Sequence, residues 1–444
     1  LLQQQDEKSS VANKPNASRL SPSASKSPIW KILRQLGPGL ITGASDDDPS
    51  GIATYSQVGA QFGFGLLWVM PFSYPLMAAI QEICARIGRV TGKGIAANVR
   101  GNYPRAVLVG LALLLLVANT FNLGADIGAM AAAAKLIVAG PAWLYIVFFG
   151  GFTLALQIFV PYTRYVVYLK WLTLTLFAYI ATGFVLGQPK WAAIRATFWP
   201  SIKLSGEYFT SLIAVLGTTI SPYLFFWQAS EEAEDVAIER KSRPLNQAPE
   251  QSTKQLRRIR IDTYAGMAIS NIVAFFIILA TAATLHAHGI TRIDTADQAA
   301  LALKPFAGKF AFLLFALGIV GTGLLAVPVL AASAAYAVSE TFGWPASLEK
   351  KPRHAVRFYA TIAFATLVGL ALNFVNINPI KALFWSAVLN GVAAVPLMIL
   401  IMLTASNRKI MGQFALPLVL RIGGWLATLV MLLASLGMLI GSHG

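Results

Sequence analysis

The stretch ITGASDDDPSGIATYS, residues 41–56, sets Asp46, Asp47 and Asp48 in a row inside an otherwise apolar segment. Carboxylates are hard oxygen donors. Pro49 follows them directly, and a proline removes a backbone donor and clashes with the preceding turn. The carbonyls freed at such a break, together with one carboxylate, make a cation site. A second stretch, GTTISPYLFFWQASEE at 217–232, has the same device: Pro222 follows a polar residue, Ser221. Helix capping is the competing explanation, because Asp48 before Pro49 is a good start signal for a half-helix over 52–61. Both readings stand for Asp46 and Asp47. For Asp48, the partner break at Pro222 favours ion binding.

The elements that must hold these residues follow from composition. The chain has 444 residues, 56% hydrophobic and 12% charged, with mean hydropathy +0.63. Soluble domains carry about 25% charged residues, so this is an integral membrane protein. Its long apolar runs exclude a β-barrel, whose strands alternate. The single Cys84 excludes a disulfide framework and a Cys-based metal site. Spans of about 20 apolar residues are expected at 36–61, 64–88, 105–138, 142–160, 164–187, 207–238, 258–285, 306–340, 355–375, 378–404 and 416–441. Residues 1–28 read as a disordered tail and not as a cleavable signal peptide. The sequon Asn16-Ala17-Ser18 lies in that tail, away from the glycosylation machinery.

Placing the tail in the cytosol puts 27 of the 35 Lys and Arg residues on the cytosolic side. The C-terminus is then outside, and the expected location is the plasma (inner) membrane. The basic excess is a topology signal with anionic lipid as its partner and no role for nucleic acid. A carboxylate at the bilayer centre costs about 3 kcal/mol, so three cost about 9 unless water or a cation compensates. The broken spans one and six lie five apart, the spacing of two inverted repeats that bind at their broken helices. This divides the chain into a tail (1–28), helices 1–5 (29–187), an outer loop (188–206), helices 6–10 (207–404) and an eleventh helix with the C-terminus (405–444). Span ten is also expected to break, at Gly391 and Pro396.

Three ordered segments resemble the NRAMP family of divalent metal transporters, over most of the chain after residue 35. GPGLITGASDDDPSG is similar to the family's first helix with its Asp-Pro-Gly-Asn motif. QEICARIGRVTGKGIAANVRGNYPR, residues 81–105, is similar to its second helix and following loop. GTTISPYLFFWQ is similar to its sixth helix with Met-Pro-His. The resemblance implies an all-α membrane protein with a LeuT-like fold of two inverted five-helix repeats plus an eleventh transmembrane helix. The departures from the family pattern are at the ligands. The first motif falls on Asp48-Pro49-Ser50-Gly51, so the acid stays and the amide becomes Gly51. The second falls on Ser221-Pro222-Tyr223, so thioether becomes hydroxyl and histidine becomes phenol. A further histidine falls on Gln228. The family's Asp-Leu-Ala-Glu in helix three falls on Asn122-Leu123-Gly124-Ala125, with Asp126 one position on.

Thioether sulfur favours softer metals; without it the donors are oxygen alone. Magnesium sheds water reluctantly and keeps several waters beside one or two carboxylates. The pattern is similar to the NRAMP-related magnesium transporter branch. The metal ligands it implies are Asp48, Gly51, Ser45, Thr218, Ser221, Tyr223 and Asn390. The expected function is uptake of hydrated Mg²⁺, or Mn²⁺, by alternating access without proton coupling, since His286, His288, His354 and His443 all fall in loops or at the end. Asp126, Glu231 and Glu232 keep coupling open through burial. The alternative is a proton-coupled Mn²⁺ or transition-metal symporter with an altered ligand set. A carrier of organic carboxylates fits less well, because Asp48 would repel the substrate at a half-helix N-terminus.

Other residues have two readings each. Glu231, Glu232, Glu234 and Asp235 form either an exit funnel for cations or a solvated helix end paired with Arg240, Lys241 and Arg243. Glu82 with Arg86 reads as a helix-face pair. His286-Ala287-His288 suits a metal only if extended. Asn122 and Asn390 line the cavity or bond neighbouring helices. Tyr223, Phe225, Phe226 and Trp227 also read as packing or lid residues. There is no HExxH and no GxSxG, so no enzyme is expected, and nothing places Asp48 and Asp126 in contact as an aspartyl dyad. No cofactor and no obligate protein partner is expected; the metal is cargo and the bilayer is the surroundings.

Overall fold

In lipid every backbone polar group must be satisfied internally, and the long apolar runs of this chain accordingly fold as helices. The computed structural model describes residues 42, 43, 45–161, 169, 172–186, 190–238, 242–375 and 377–441. The expected tail at 1–28, Asn16, Arg240, Lys241 and His443 lie outside the described residues.

Among the described residues, the α-helices of six or more residues are α1 (Pro49–Phe62), α2 (Val69–Thr91), α3 (Ile95–Arg100), α4 (Arg105–Lys135), α5 (Ala142–Phe159), α6 (Phe177–Val185), α7 (Lys190–Phe198), α8 (Gly206–Thr219), α9 (Pro222–Ile238), α10 (Ser252–Thr284), α11 (Ala311–Phe342), α12 (Val356–Leu372), α13 (Pro379–Ser406) and α14 (Leu418–Gly441). Among the described residues, 7 helical stretches are long and apolar enough to cross a membrane, with α8 and α9 counted as one. They coincide with expected spans three, four, six, seven, eight, ten and eleven. The expected first and second spans are α1 and α2, which meet at a bend of 111°. The fifth and ninth are represented by shorter apolar helices, Leu174–Val185 and Val356–Leu372.

Both anticipated breaks are present. Residues 42, 43, 45 and 46 are helical, Asp47 bends the chain, and Asp48 is extended (φ −68°, ψ 169°) before α1 starts at Pro49. The half-helix thus begins three residues before the expected 52. At the second break α8 ends at Thr219, Ile220 departs from helical geometry (φ −119°, ψ 61°), and α9 starts at Pro222.

Span ten corrects the expectation. α13 runs unbroken through Gly391 and Pro396. Pro396 is held inside a helix, as Pro75 is in α2 and Pro328 in α11. Gly391 serves close approach instead. A Cβ on Gly217 would lie 2.5 Å from the Gly391 nitrogen, and one on Gly391 would lie 2.6 Å from the Ile213 carbonyl oxygen. The backbones of α8 and α13 therefore touch, which holds the α8 break beside α13. Around the two breaks, α1 packs on α10 and α13, α9 packs on α2 and α11, and α4 runs along α11.

Candidate metal centre

Asp48 is 2% exposed and has most of its oxygen capacity engaged. Oδ1 accepts from Ser50 Oγ at 2.7 Å and from the Gly51 amide at 2.7 Å, while Oδ2 accepts from Asn122 Nδ2 at 3.0 Å. Asp48 is thus the N-cap of α1, the role that capping predicted, and it is tethered to α4 as well. Little of the acceptor capacity a carboxylate offers remains. The Gly51 amide is spent on the cap, so only its carbonyl can serve as a donor. A Cβ at Gly51 would stand 3.4 Å from the Asp46 carbonyl oxygen and 3.5 Å from Asp48 Oδ1. A side chain at this position would pack against the Tyr55 ring, its Cβ 3.3 Å from Cε2, beside the acid.

The second break comes to the first through hydroxyls. Tyr223 Oη donates to the Ser45 carbonyl at 2.8 Å, joining α9 to the turn before Asp48. Thr218 Oγ1 hydrogen bonds Tyr55 Oη at 2.9 Å, joining α8 to α1. Ser221 Oγ directs its one proton back at the end of α8, 2.5 Å from Thr218 O and 3.0 Å from Gly217 O, which leaves its lone pairs unused. Ser45 Oγ and Asn390 Oδ1 are buried without a donor. Asn390 precedes Gly391, so its backbone lies beside α8; no hydrogen bond links it to Asp48.

Sequence reasoning left several neighbours out of the ligand set. Ser270 of α10 donates to Asp46 Oδ2 at 2.6 Å and lies 3.1 Å from Asp47 Oδ1, so one hydroxyl serves two carboxylates that are 1% and 4% exposed. Thr42 Oγ1 lies 2.5 Å from Gln228 Oε1, a further bridge from the first helix to α9. Asp126 is fully buried near Asp48 and the Ser50 amide, and no side chain donates to either of its oxygens. The usable signal was a polar residue recurring every helical turn in an apolar helix, Asn122 and Asp126 on α4. Among the described residues, no ion pair reaches Asp46, Asp47, Asp48 or Asp126. The region is a pool of oxygen acceptors that lacks positive charge. Among the described residues no three His, Cys, Asp or Glu side chains converge on one metal position, so carbonyls, hydroxyls and amides must complete any coordination sphere.

The remaining candidates have partners of their own. Arg86 Nη2 pairs with Glu82 Oε1 at 2.9 Å, and Arg260 approaches the same oxygen at 3.6 Å. In the acidic cluster, Glu232 pairs with Arg258 of α10, a partner not anticipated. Glu234 accepts from Tyr336 Oη at 2.6 Å and from the Leu348 amide at 3.0 Å. His286–His288 form a 3₁₀ turn, with His286 Nδ1 2.7 Å from Ala60 O and His288 Nδ1 2.5 Å from Thr284 O. With those nitrogens directed at backbone carbonyls, the pair is not an extended metal clip. Tyr223 and Trp227 are fully buried, so neither is a surface lid.

A profile of the family described as "Natural resistance-associated macrophage protein-like" matches residues 39–441, which takes in both breaks and every helix named above. The chain belongs to the Nramp family. Its relatives include the divalent metal cation transporter MntH of Klebsiella pneumoniae (strain 342), 24% identical over 96% of this chain and 98% of that one. A crystal structure of the Eremococcus coleocola manganese transporter superposes with TM-score 0.70 at 18% identity, covering 92% of this chain and 87% of the other. MhsT in complex with L-phenylalanine superposes at 0.60 with 14% identity, covering 89% and 98%. At these identities the structural likeness is one of fold. The Nramp chain described here has the all-helical, LeuT-like architecture these transporters share.

Proposed function

We propose that this Nramp-family chain carries Mg²⁺, or Mn²⁺, into the cytosol by alternating access and without a proton. The family makes it a membrane transporter and not an enzyme, and the metal is cargo, so no cofactor is required. The observation that carries the reading is the donor set at the breaks. Asp48 supplies one carboxylate, and Ser45, Gly51, Thr218, Ser221, Tyr223 and Asn390 add neutral oxygens. Such a set suits a hard cation that keeps part of its water.

Two cavities support alternating access. One of about 700 Å³ lies at the far ends of α1 and α8, lined by Gln57, Gln61, Glu207, Thr210 and Asp294. Another of about 320 Å³ lies beside the far end of α9, lined by Ser230, Glu234, Tyr336 and Glu340. Helical rise puts each about 15 Å from Ser221, in opposite directions, while the candidate ligands between them are buried. In this reading the N-terminus is cytosolic, the C-terminus is outside, and the membrane is the plasma (inner) membrane. Residues 29–187 and 207–404 are the inverted repeats, joined by the outer loop 188–206, with the tail at 1–28 and the eleventh helix within 405–444.

A second reading, proton-coupled Mn²⁺ symport, draws on a soft atom near the break. Met130 Sδ packs against Gly323, whose Cβ position is also 3.3 Å from Pro49. The names of the manganese and divalent-metal relatives point the same way. Uptake of Mg²⁺ and Mn²⁺ into proteoliposomes containing a pH dye separates the two. The first reading expects Mg²⁺ entry with no acidification of the lumen; Mn²⁺ entry with acidification and no Mg²⁺ entry overturns it.

A further inference from the structure

Asp126 lies one helical turn beyond Asn122 on α4, so the two side chains share a face. Asn122 is bonded to Asp48. One turn further on, Met130 and Pro49 both border Gly323. The stripe Asn122–Asp126–Met130 therefore runs along the Asp48–Pro49–Ser50 turn. Asp126 faces the middle of that turn, with Asp48 in electrostatic reach and the Ser50 amide nearby. It is 0% exposed, no side chain donates to Oδ1 or Oδ2, and the Ser50 amide is the backbone donor beside it. A buried carboxylate with no side-chain donor and no counter-ion is costly to hold. Asp48 has the opposite problem. Ser50 Oγ, the Gly51 amide and Asn122 Nδ2 already occupy it, so little acceptor capacity is left for a divalent ion, and Asp48 itself supplies one negative charge.

We propose that Asp126 is the second carboxylate of the cation site. Asp48 touches the ion, and Asp126 balances the second charge through a water the ion retains. This deepens the reading of the chain as a divalent-cation carrier and rests on it. It explains a buried acid with no side-chain donor in an apolar helix. It also matches the habit of Mg²⁺, which uses one or two carboxylates and keeps several waters.

The test is Mg²⁺ uptake by the full chain in proteoliposomes, comparing wild type, Asp126→Asn and Asp126→Glu, with Mg²⁺-dependent thermal stabilisation of the same proteins. Asp126→Asn is expected to raise KM about tenfold or more, and Asp126→Glu to return it to within about threefold of wild type. The loss falls on KM more than on maximal rate, and the Mg²⁺ concentration that half-stabilises the protein moves by the same factor. A wild-type KM and a wild-type stabilisation midpoint in Asp126→Asn overturn the proposal while leaving wild-type Mg²⁺ uptake intact. Absence of Mg²⁺ uptake by wild type overturns the underlying reading instead. Should Asp126→Asn fail to fold, anomalous scattering from Mn²⁺ soaked into wild-type crystals decides. The proposal expects the ion roughly 4–5 Å from the Asp126 carboxylate, one water away; an ion well beyond one water's reach refutes it.

Discussion

In the proposed site Ser221 stands where the resemblance places a sulfur ligand, and its hydroxyl is turned back onto Gly217 and Thr218. Ser221→Met should therefore shift selectivity toward Mn²⁺ and Cd²⁺, read as the ratio of their uptake to that of Mg²⁺ in competition. An unchanged ratio would mean that residue 221 does not face the ion. Asn122 acts through Asp48, since its amide fixes Oδ2. Groups that orient a metal ligand typically affect affinity 10–100-fold. Asn122→Ala should raise the KM for Mg²⁺ about tenfold or more, measured in the same proteoliposomes. At this scale the cap at Asp48 was readable from sequence, because an acid before a proline is a helix-start signal. Its partners were harder to read. Ser270 and Tyr55 reach the acids and Thr218 only through the packing of helices far apart in sequence, and a single sequence carries no signal for such contacts.

The elements are two interrupted helices held against continuous ones. The breaks at Asp47–Asp48 and Ile220–Ser221 were legible, because proline after a polar residue leaves helical hydrogen bonds unmade. The break assigned to span ten was not there. In α13 the same residue types serve a different end, with Gly391 admitting the backbone of α8 and Pro396 lying in an unbroken helix. Proline and glycine mark both broken helices and closely packed ones, and only the neighbouring helix tells them apart. Gly391→Val should force α8 and α13 apart, since the added atoms meet the carbonyl and side chain of Ile213. The expected cost is about 1–3 kcal/mol, read as a lower melting temperature of the purified protein, with transport reduced because the α8 break moves. Full stability in that variant would contradict the close contact.

At the scale of the whole molecule, the proposed site is buried between two cavities. A divalent ion moving inward gains about 4.6 kcal/mol from a potential of 100 mV, enough for uptake without a proton. Uptake should rise when a potassium-diffusion potential makes the lumen negative, and it should not respond to a pH gradient at fixed potential. Stimulation by the pH gradient alone would favour the proton-coupled reading. The most direct test of the site is Mg²⁺ uptake by Asp48→Ala beside wild type under the same negative-inside potential, on protein shown to be folded by its elution and melting. The expected result is complete loss of uptake; uptake by Asp48→Ala at the wild-type rate would contradict the placement of the ion at the broken helices.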